Sequence, residues 1–407
     1  MTTTGGQTRP AATSVVAEPF ATSLRRGRPL LWATGAGDDL TALLGWGERL
    51  RVDAFGPDRF ATLASAFADF VAHRPDADPR DLVAFVTVTF SPDSQAASTL
   101  IVPRTLGRWS SGALHLDTDA EIPEPSAPLD DFDERDLERG TLTRQAFRHA
   151  VAEAVRRIGA GDLAKVVLAR DLKASAPDPI DLNAVLARLQ RANPQAWTFH
   201  VDGLIGASPE MLVRRRGLRV ESQALAGSAA VTGDPDATDR AARALAASGK
   251  DHAEHAFAAQ SISTKLRTLG TVEVSAPHVR RWPRIMHLAT DITATLREPR
   301  SALDIATLLH PSAAVCGWPT EAAASVIAEL EGFDRGRYAG PVGWMDATGD
   351  GEFAIALRCG QASDDRRAVR MFAGGGIVAG SDPSAELAET ATKFLAMYEA
   401  LSPVARP

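Results

Sequence analysis

The stretch "DLAKVVLAR" (residues 162–170) decides how the rest of the chain is read. Side chains alternate along a strand, so Lys165, Val167 and Ala169 point one way and Val166 and Leu168 the other. A lysine in such an apolar run is either a guard on an exposed strand edge or a charge held in a pocket for chemistry. In a pocket, burial disfavours the ammonium, lowers its pKa and makes a general base near neutral pH.

Upstream of that strand, "TRQAFRHAVAEAVRRIGAG" (143–161) predicts an amphipathic helix. Thr143 serves as N-cap, Phe147, Val151, Val155 and Ile158 form the apolar stripe, and Gly159 or Gly161 ends it. Downstream, a helix is expected at about 180–192, then strands in "WTFHV" and "GLIGASPEMLVRRR". Long helical stretches follow at about 237–268 and 320–331, strands at 339–346, 352–360 and 368–373, and a last helix at about 383–401. Helices and strands alternate without a regular βαβα rhythm, which favours a mixed sheet over a doubly wound one. Residues 16–115 combine a helical pattern at 58–73 with a β-rich run at 81–90. The Pro- and Asp-rich segment 117–136 reads as a solvated connection, and the first fifteen or so residues as a disordered leader.

The formal net charge is −7, with no concentrated basic tract. Phosphate neutralisation needs clustered cations, so nucleic acid is not expected as the main partner; a small anionic substrate in a locally basic pocket is compatible. Two cysteines, Cys316 and Cys359, are too few for a disulfide framework or a Cys-rich zinc site and suit a reducing cytoplasm. No apolar run approaches the ~20 residues that span a bilayer, so no membrane partner is expected.

Several clusters carry candidate chemistry. Glu210 lies in "GASPEML" (206–212), where Pro209 presents it from a rigid corner. An acid and a base on neighbouring strands suit a reaction with two proton transfers on one ligand. "KDHAEHAFA" (250–258) puts Asp251, Glu254 and His255 on one helical face, which is either a solvated, ion-paired surface or a set of metal donors. No H-E-x-x-H and no paired cysteines accompany it, so zinc is disfavoured. Carboxylates suit a hard cation such as Mg²⁺, which completes its shell with ligand oxygens and water. "AELAETATKF" (385–394) places Glu386, Glu389 and Lys393 at the same spacing, just after Asp382–Pro383 as N-cap and first helical position. "FAGGGIVAG" (372–380) fits G-x-G-x-x-A, but its position near the C-terminus leaves no room for a second βαβ half and a ribose-binding acid. It reads instead as a glycine loop whose N–H groups cradle a carboxylate, with Arg358 on the preceding strand as a bidentate clamp.

"DLAKVVLAR", "GASPEMLV", "LAGS", "KDHAEH", "HLAT", "LLHPSAAVCGWP", "FDRGRYAGPVGW", "RCG" and "FAGGGIVAGSDPSAELAET" occur in that order. The array resembles the chorismate-utilising enzymes, most of all their isochorismate synthase branch, over about residues 140–403. The resemblance implies an α+β fold with two large, roughly orthogonal antiparallel sheets flanked by helices. Residues 1–15 would be leader, 16–136 a variable N-terminal part and 137–407 the chorismate-binding region, all in one intertwined domain. It further implies Lys165 as the base that activates water for attack at C2 of chorismate, and Glu210 as the acid that protonates the departing C4 hydroxyl. Glu254 and Glu389 match Mg²⁺ ligands, with Glu386 and Asp251 as outer supports. Gly227, Ser228, His287, Ala314, Arg358, Gly374 and Lys393 match substrate-contacting positions.

The resemblance also separates the branches. Aminating relatives take ammonia from a glutaminase partner and generally lack the strand lysine, and the aminodeoxychorismate enzymes carry a lysine where this chain has Ala226. Water as nucleophile, a monomer and no glutaminase subunit are therefore expected. Salicylate synthases share base, acid and metal and further eliminate pyruvate. They tend to carry threonine where isochorismate synthases, like this chain at Ala314, carry alanine, and so salicylate synthase is the alternative. Isochorismate would feed siderophore, salicylate or menaquinone routes. Two departures from the pattern are a short segment between Lys165 and Glu210 and the absence of arginines after "LAGS".

Overall fold

The computed structural model describes residues 13–16, 18–117, 121–127, 137–282 and 285–402, without the side chains of 13–16, 117, 137–139, 250 and 254. Residues 1–12 of the expected leader and most of the Pro- and Asp-rich connection fall outside the described residues; Thr13–Val16, expected to be leader up to residue 15, is instead a strand paired antiparallel to Ala113–Asp117. Two large sheets, of 12 and 10 strands, form the framework, and the pairings within them are antiparallel. Residues before the connection contribute to both. Leu30–Thr34 pairs with Trp197–Val201 in the larger sheet, and Val83–Thr87 pairs with Pro341–Asp346 in the smaller.

The main core contains Phe85, Phe147, Phe199 and Phe353, each fully buried. A second core holds Leu182, Leu186 and Leu189 against Phe394, Met397 and Leu401, so that helices Leu182–Ala192 and Pro383–Leu401 pack on each other and on the larger sheet. Each such side chain contributes about 1.5–3 kcal/mol on leaving water, which is what fixes the helices over the sheet.

The helix starts follow the cap chemistry. Thr143 accepts from the Ala146 amide ahead of Arg144–Ala160, and Gly161 ends that helix in the left-handed region. Asp382 accepts from the Ser384 and Ala385 amides, with Pro383 as first residue of the last helix. The stretch expected as one helix over 237–268 is instead two, Pro235–Ala247 and Gly249–Arg267. Ser248 between them has an extended backbone, and its hydroxyl caps the second helix by accepting from Asp251 N. Serine followed by glycine is a poor continuation and a good restart.

Two further expectations change. The glycine segment is not a loop: Ala368–Ile377 is a strand that pairs along Lys165–Ser175, with Val167 opposite Gly376 and Ala169 opposite Gly374. A Cβ at Gly374 would meet Leu168 O at 2.9 Å and Tyr338 Oη at 3.0 Å, so close approach rather than turning is what demands glycine there. The strand expected over 352–360 is split into Gly351–Ile355 and Cys359–Ala362. Arg358 lies in the gap with φ +48° rather than on a strand.

Candidate active site

Lys165 opens the strand Lys165–Ser175 and is only 1% exposed, which removes the edge-guard alternative. Trp318 pairs with it on one side, and the glycine strand begins at Val166 on the other. Val167, on the same strand face, lines a cavity of about 240 Å³ at the junction of the two sheets.

Glu210 sits at that junction. Ser208 ends a strand of the larger sheet, Met211 begins one of the smaller, and Pro209 and Glu210 make the corner between them. The Ile355 amide donates to the Glu210 carbonyl at 3.0 Å and Ser208 Oγ donates to the Ile355 carbonyl at 2.6 Å, pinning the corner. The carboxyl is 4% exposed and its Oε1 has no hydrogen-bond partner. Burial pushes its pKa up to about 8, against the pull of Lys165, Lys393 and Arg358. Desolvation wins over three cations, and the group holds its proton at neutral pH.

The smaller sheet supplies the opposite wall. Gly227 interrupts the register between Arg219–Ala230 and Ile285–Leu296, at φ +74°, and a Cβ there would strike Asp251 at 2.9 Å. The bulge sets Gly227 and Ser228 into the cavity. His287, nearly buried, bonds through Nδ1 to the Gly227 carbonyl at 3.1 Å. A carbonyl only accepts, so Nδ1 carries the proton and the unpartnered Nε2 is a lone pair. Burial, with Arg358 and Lys393 nearby, pushes the His287 pKa down to about 3, and the ring is neutral.

Two helices bring carboxylates. Asp251 comes from the start of Gly249–Arg267, and Glu386 and Glu389 come from the first turns of Pro383–Leu401; all three line the cavity. Glu254 lies on the same helix as Asp251, and its side chain falls outside the described residues. Glu389 Oε1 pairs with Lys393 Nζ at 2.6 Å and accepts from Ser228 Oγ at 3.3 Å. Lys393 Nζ also donates to the Gly374 carbonyl at 2.8 Å, tying helix to glycine strand. The Lys393 charge holds the Glu389 carboxyl down to about 2. Among the described residues no three His, Cys, Asp or Glu side chains close into a metal cage. The donor set is nonetheless hard, anionic and open on the cavity side, which fits Mg²⁺, an ion commonly held by one or two carboxylates plus substrate oxygens and water.

Ala314, Arg358 and Gly374 complete the lining. Burial works against the Arg358 charge, while Tyr338, Glu389 and Glu210 work for it. Its left-handed backbone is strain concentrated at the cavity wall. Sequence reasoning passed over Tyr338, which is 4% exposed, stacked on Phe372 at 5.1 Å and in the lining. A single tyrosine within the quoted "FDRGRYAGPVGW" was the only signal for it. Of the residues singled out from sequence, Glu210, Gly227, Ser228, Asp251, His287, Ala314, Arg358, Gly374, Glu386, Glu389 and Lys393 surround this one cavity. Lys165 stands one strand step behind Val167, close enough for its charge to act on Glu210.

The family of chorismate binding enzymes, compared through its sequence model, matches residues 116–402. The chain belongs to this family. As a chorismate binding enzyme it is similar to the isochorismate synthase DhbC of Bacillus subtilis, at 34% identity over 375 residues, 86% of this chain and 88% of that one. It is 39% identical over 269 residues to the isochorismate synthase EntC of Escherichia coli, covering 64% and 68% of the two chains. The solved structure of DhbC from Bacillus anthracis superposes with a TM-score of 0.78 at 30% identity, over 94% of this chain and 99% of that one. The fold of this chorismate binding enzyme is thus two antiparallel sheets with flanking helices. No helix among the described residues is long and apolar enough to cross a membrane.

Proposed function

We propose that this chorismate binding enzyme is an isochorismate synthase, an isomerase that moves the ring hydroxyl of chorismate by adding water at C2 and losing the C4 hydroxyl. The observation that carries the reading is Glu210: a buried carboxyl with a pKa of about 8 and an unpartnered Oε1, at a cavity behind which Lys165 is buried. In this reading Lys165 takes a proton from the attacking water, and Glu210 gives its proton to the departing hydroxyl as water. One water is consumed and one released, while the ring double bonds shift, so no net oxidation occurs.

Chorismate carries two carboxylates, and Arg358, Lys393 and the backbone amides near Gly374 suit them. Neutral His287 offers its Nε2 lone pair to a substrate hydroxyl. Glu389 and Glu254 are the proposed Mg²⁺ ligands, with Asp251 and Glu386 as supports. When bound, Mg²⁺ supplies positive charge for the ring carboxylate. The enzyme acts as a cytoplasmic monomer without a glutaminase subunit in this reading, and its product serves siderophore, salicylate or menaquinone formation. The alternative, salicylate synthase, is weakened by the methyl side chain of Ala314 at the cavity wall.

Purified protein incubated with chorismate and Mg²⁺, without ammonia, is expected to yield isochorismate and to run in reverse. Chromatography of the products decides: salicylate with pyruvate as the main product selects the alternative, and unchanged chorismate sinks both.

A further inference from the structure

A second cavity of about 420 Å³ adjoins the first, and Pro209, Arg358 and Lys393 line both. One wall of the second cavity is apolar, with Trp282, Ile285 and Leu395. Trp282 packs edge-on against His287, at 5.4 Å between ring centroids, so this wall continues directly into the reaction cavity. The other side carries charge: Arg188 and Arg191 from the helix Leu182–Ala192, with Glu399 as the acidic lining residue. Arg191 is exposed and has no ion pair among the described residues. Cations thus run from the exposed helix end to Arg358 and Lys393, on a chain whose net charge is −7.

We propose that this second cavity is the vestibule through which the dianionic substrate reaches the reaction cavity, and that Arg188 and Arg191 are its steering charges. This rests on the function proposed above for the substrate, chorismate. A concave patch in which four cations outnumber the single carboxylate of Glu399, with low-dielectric walls, focuses the field and raises the local anion concentration. A generally anionic surface sharpens the effect by repelling chorismate elsewhere. The apolar wall carries no cation to pair with a carboxylate, only the Trp282 indole N–H, so the substrate travels along the arginine side and arrives with its charges toward Arg358 and Lys393.

The test is the association rate of chorismate, read by stopped-flow intrinsic fluorescence, for the full-length protein and an Arg188→Gln/Arg191→Gln variant. At about 0.01 M ionic strength, where screening extends ~30 Å, the variant is expected to associate about tenfold more slowly than wild type. At about 1 M, where it extends ~3 Å, the two rates converge. Arg300→Gln removes the same kind of charge from an exposed site that lines neither cavity, and is expected to leave the rate unchanged. Equal rates for wild type and double variant at low salt, a deficit that persists at high salt, or an equal deficit in Arg300→Gln each overturn the vestibule. Association is read without turnover. Rates that behave as expected with no isochorismate formed would count against the proposed reaction and leave the vestibule standing.

Discussion

Two pairs of buried ionisable groups meet the strand Lys165–Ser175, one at its start and one along its edge, and they are handled in opposite ways. Glu331 and Arg335 are 1% and 3% exposed, and Arg335 meets both carboxylate oxygens, at 2.8 and 2.5 Å. Arg335 also donates to the carbonyls of Val315 at 2.9 Å and Val167 at 2.7 Å, while Glu331 accepts from the Ala169 amide at 2.7 Å. These bonds fill the strand edge between its pairing to Trp318 at Lys165 and its pairing to Arg139 at Leu172. Phe90 covers the guanidinium at 4.3 Å. At the other pair, Glu210 has an unpartnered oxygen and a pKa near 8. A buried ionisable group with every bond made is a fastener; one with a bond left open is available to a substrate.

The largest effect should come from the open pair. Lys165→Ala and Glu210→Gln are each expected to lower kcat by about 10²–10⁴-fold, the usual worth of one positioned acid or base, with far-UV circular dichroism unchanged. Substantial remaining turnover in Lys165→Ala would move the base role elsewhere and erase the contrast.

The closed pair should respond in stability instead. Arg335→Met leaves Glu331 buried and uncompensated, so about 3–5 kcal/mol of stability should be lost in urea unfolding. Glu331→Met/Arg335→Met, which removes both charges, should recover much of that loss. A single variant costing under about 1 kcal/mol would mean the pair is not a fastener.

The contrast was half legible in the sequence. Lys165 and Glu210 stood out because a charge in an apolar strand and a carboxylate after Ser-Pro break local pattern. Glu331 and Arg335 did not, because a helix-terminal glutamate followed four residues on by arginine resembles any surface pair until the tertiary fold closes over it. Helix limits were readable wherever a cap was unambiguous: the last helix, expected at about 383–401, is Pro383–Leu401. The glycine strand was misread because glycine signals both turning and close approach, and only the neighbouring backbone at Leu168 tells which. Arg358 was misplaced for a related reason: composition does not reveal a left-handed break inside an apolar run.

The dependence on pH sharpens the contrast further. The Glu210 pKa is raised by burial from 4.5 to about 8, so the folded protein holds this proton more tightly than the unfolded chain. Its contribution to stability is complete below about pH 4.5 and is lost as pH rises through about 8, by at most about 1.4 kcal/mol for each unit crossed. Glu210→Gln does not ionise, so its unfolding midpoint should gain on wild type as pH goes from 5 to 9. An acid must also be protonated to act, and kcat/KM of wild type should therefore fall about tenfold per unit above pH 8. Both changes come from one proton, so the relative stability should stop changing at about the pH, near 8, where the rate begins to fall. A rate limb near 8 with no matching change in relative stability would place the titrating acid on another residue, and Glu210 would then be a fastener whose partner is still to be found.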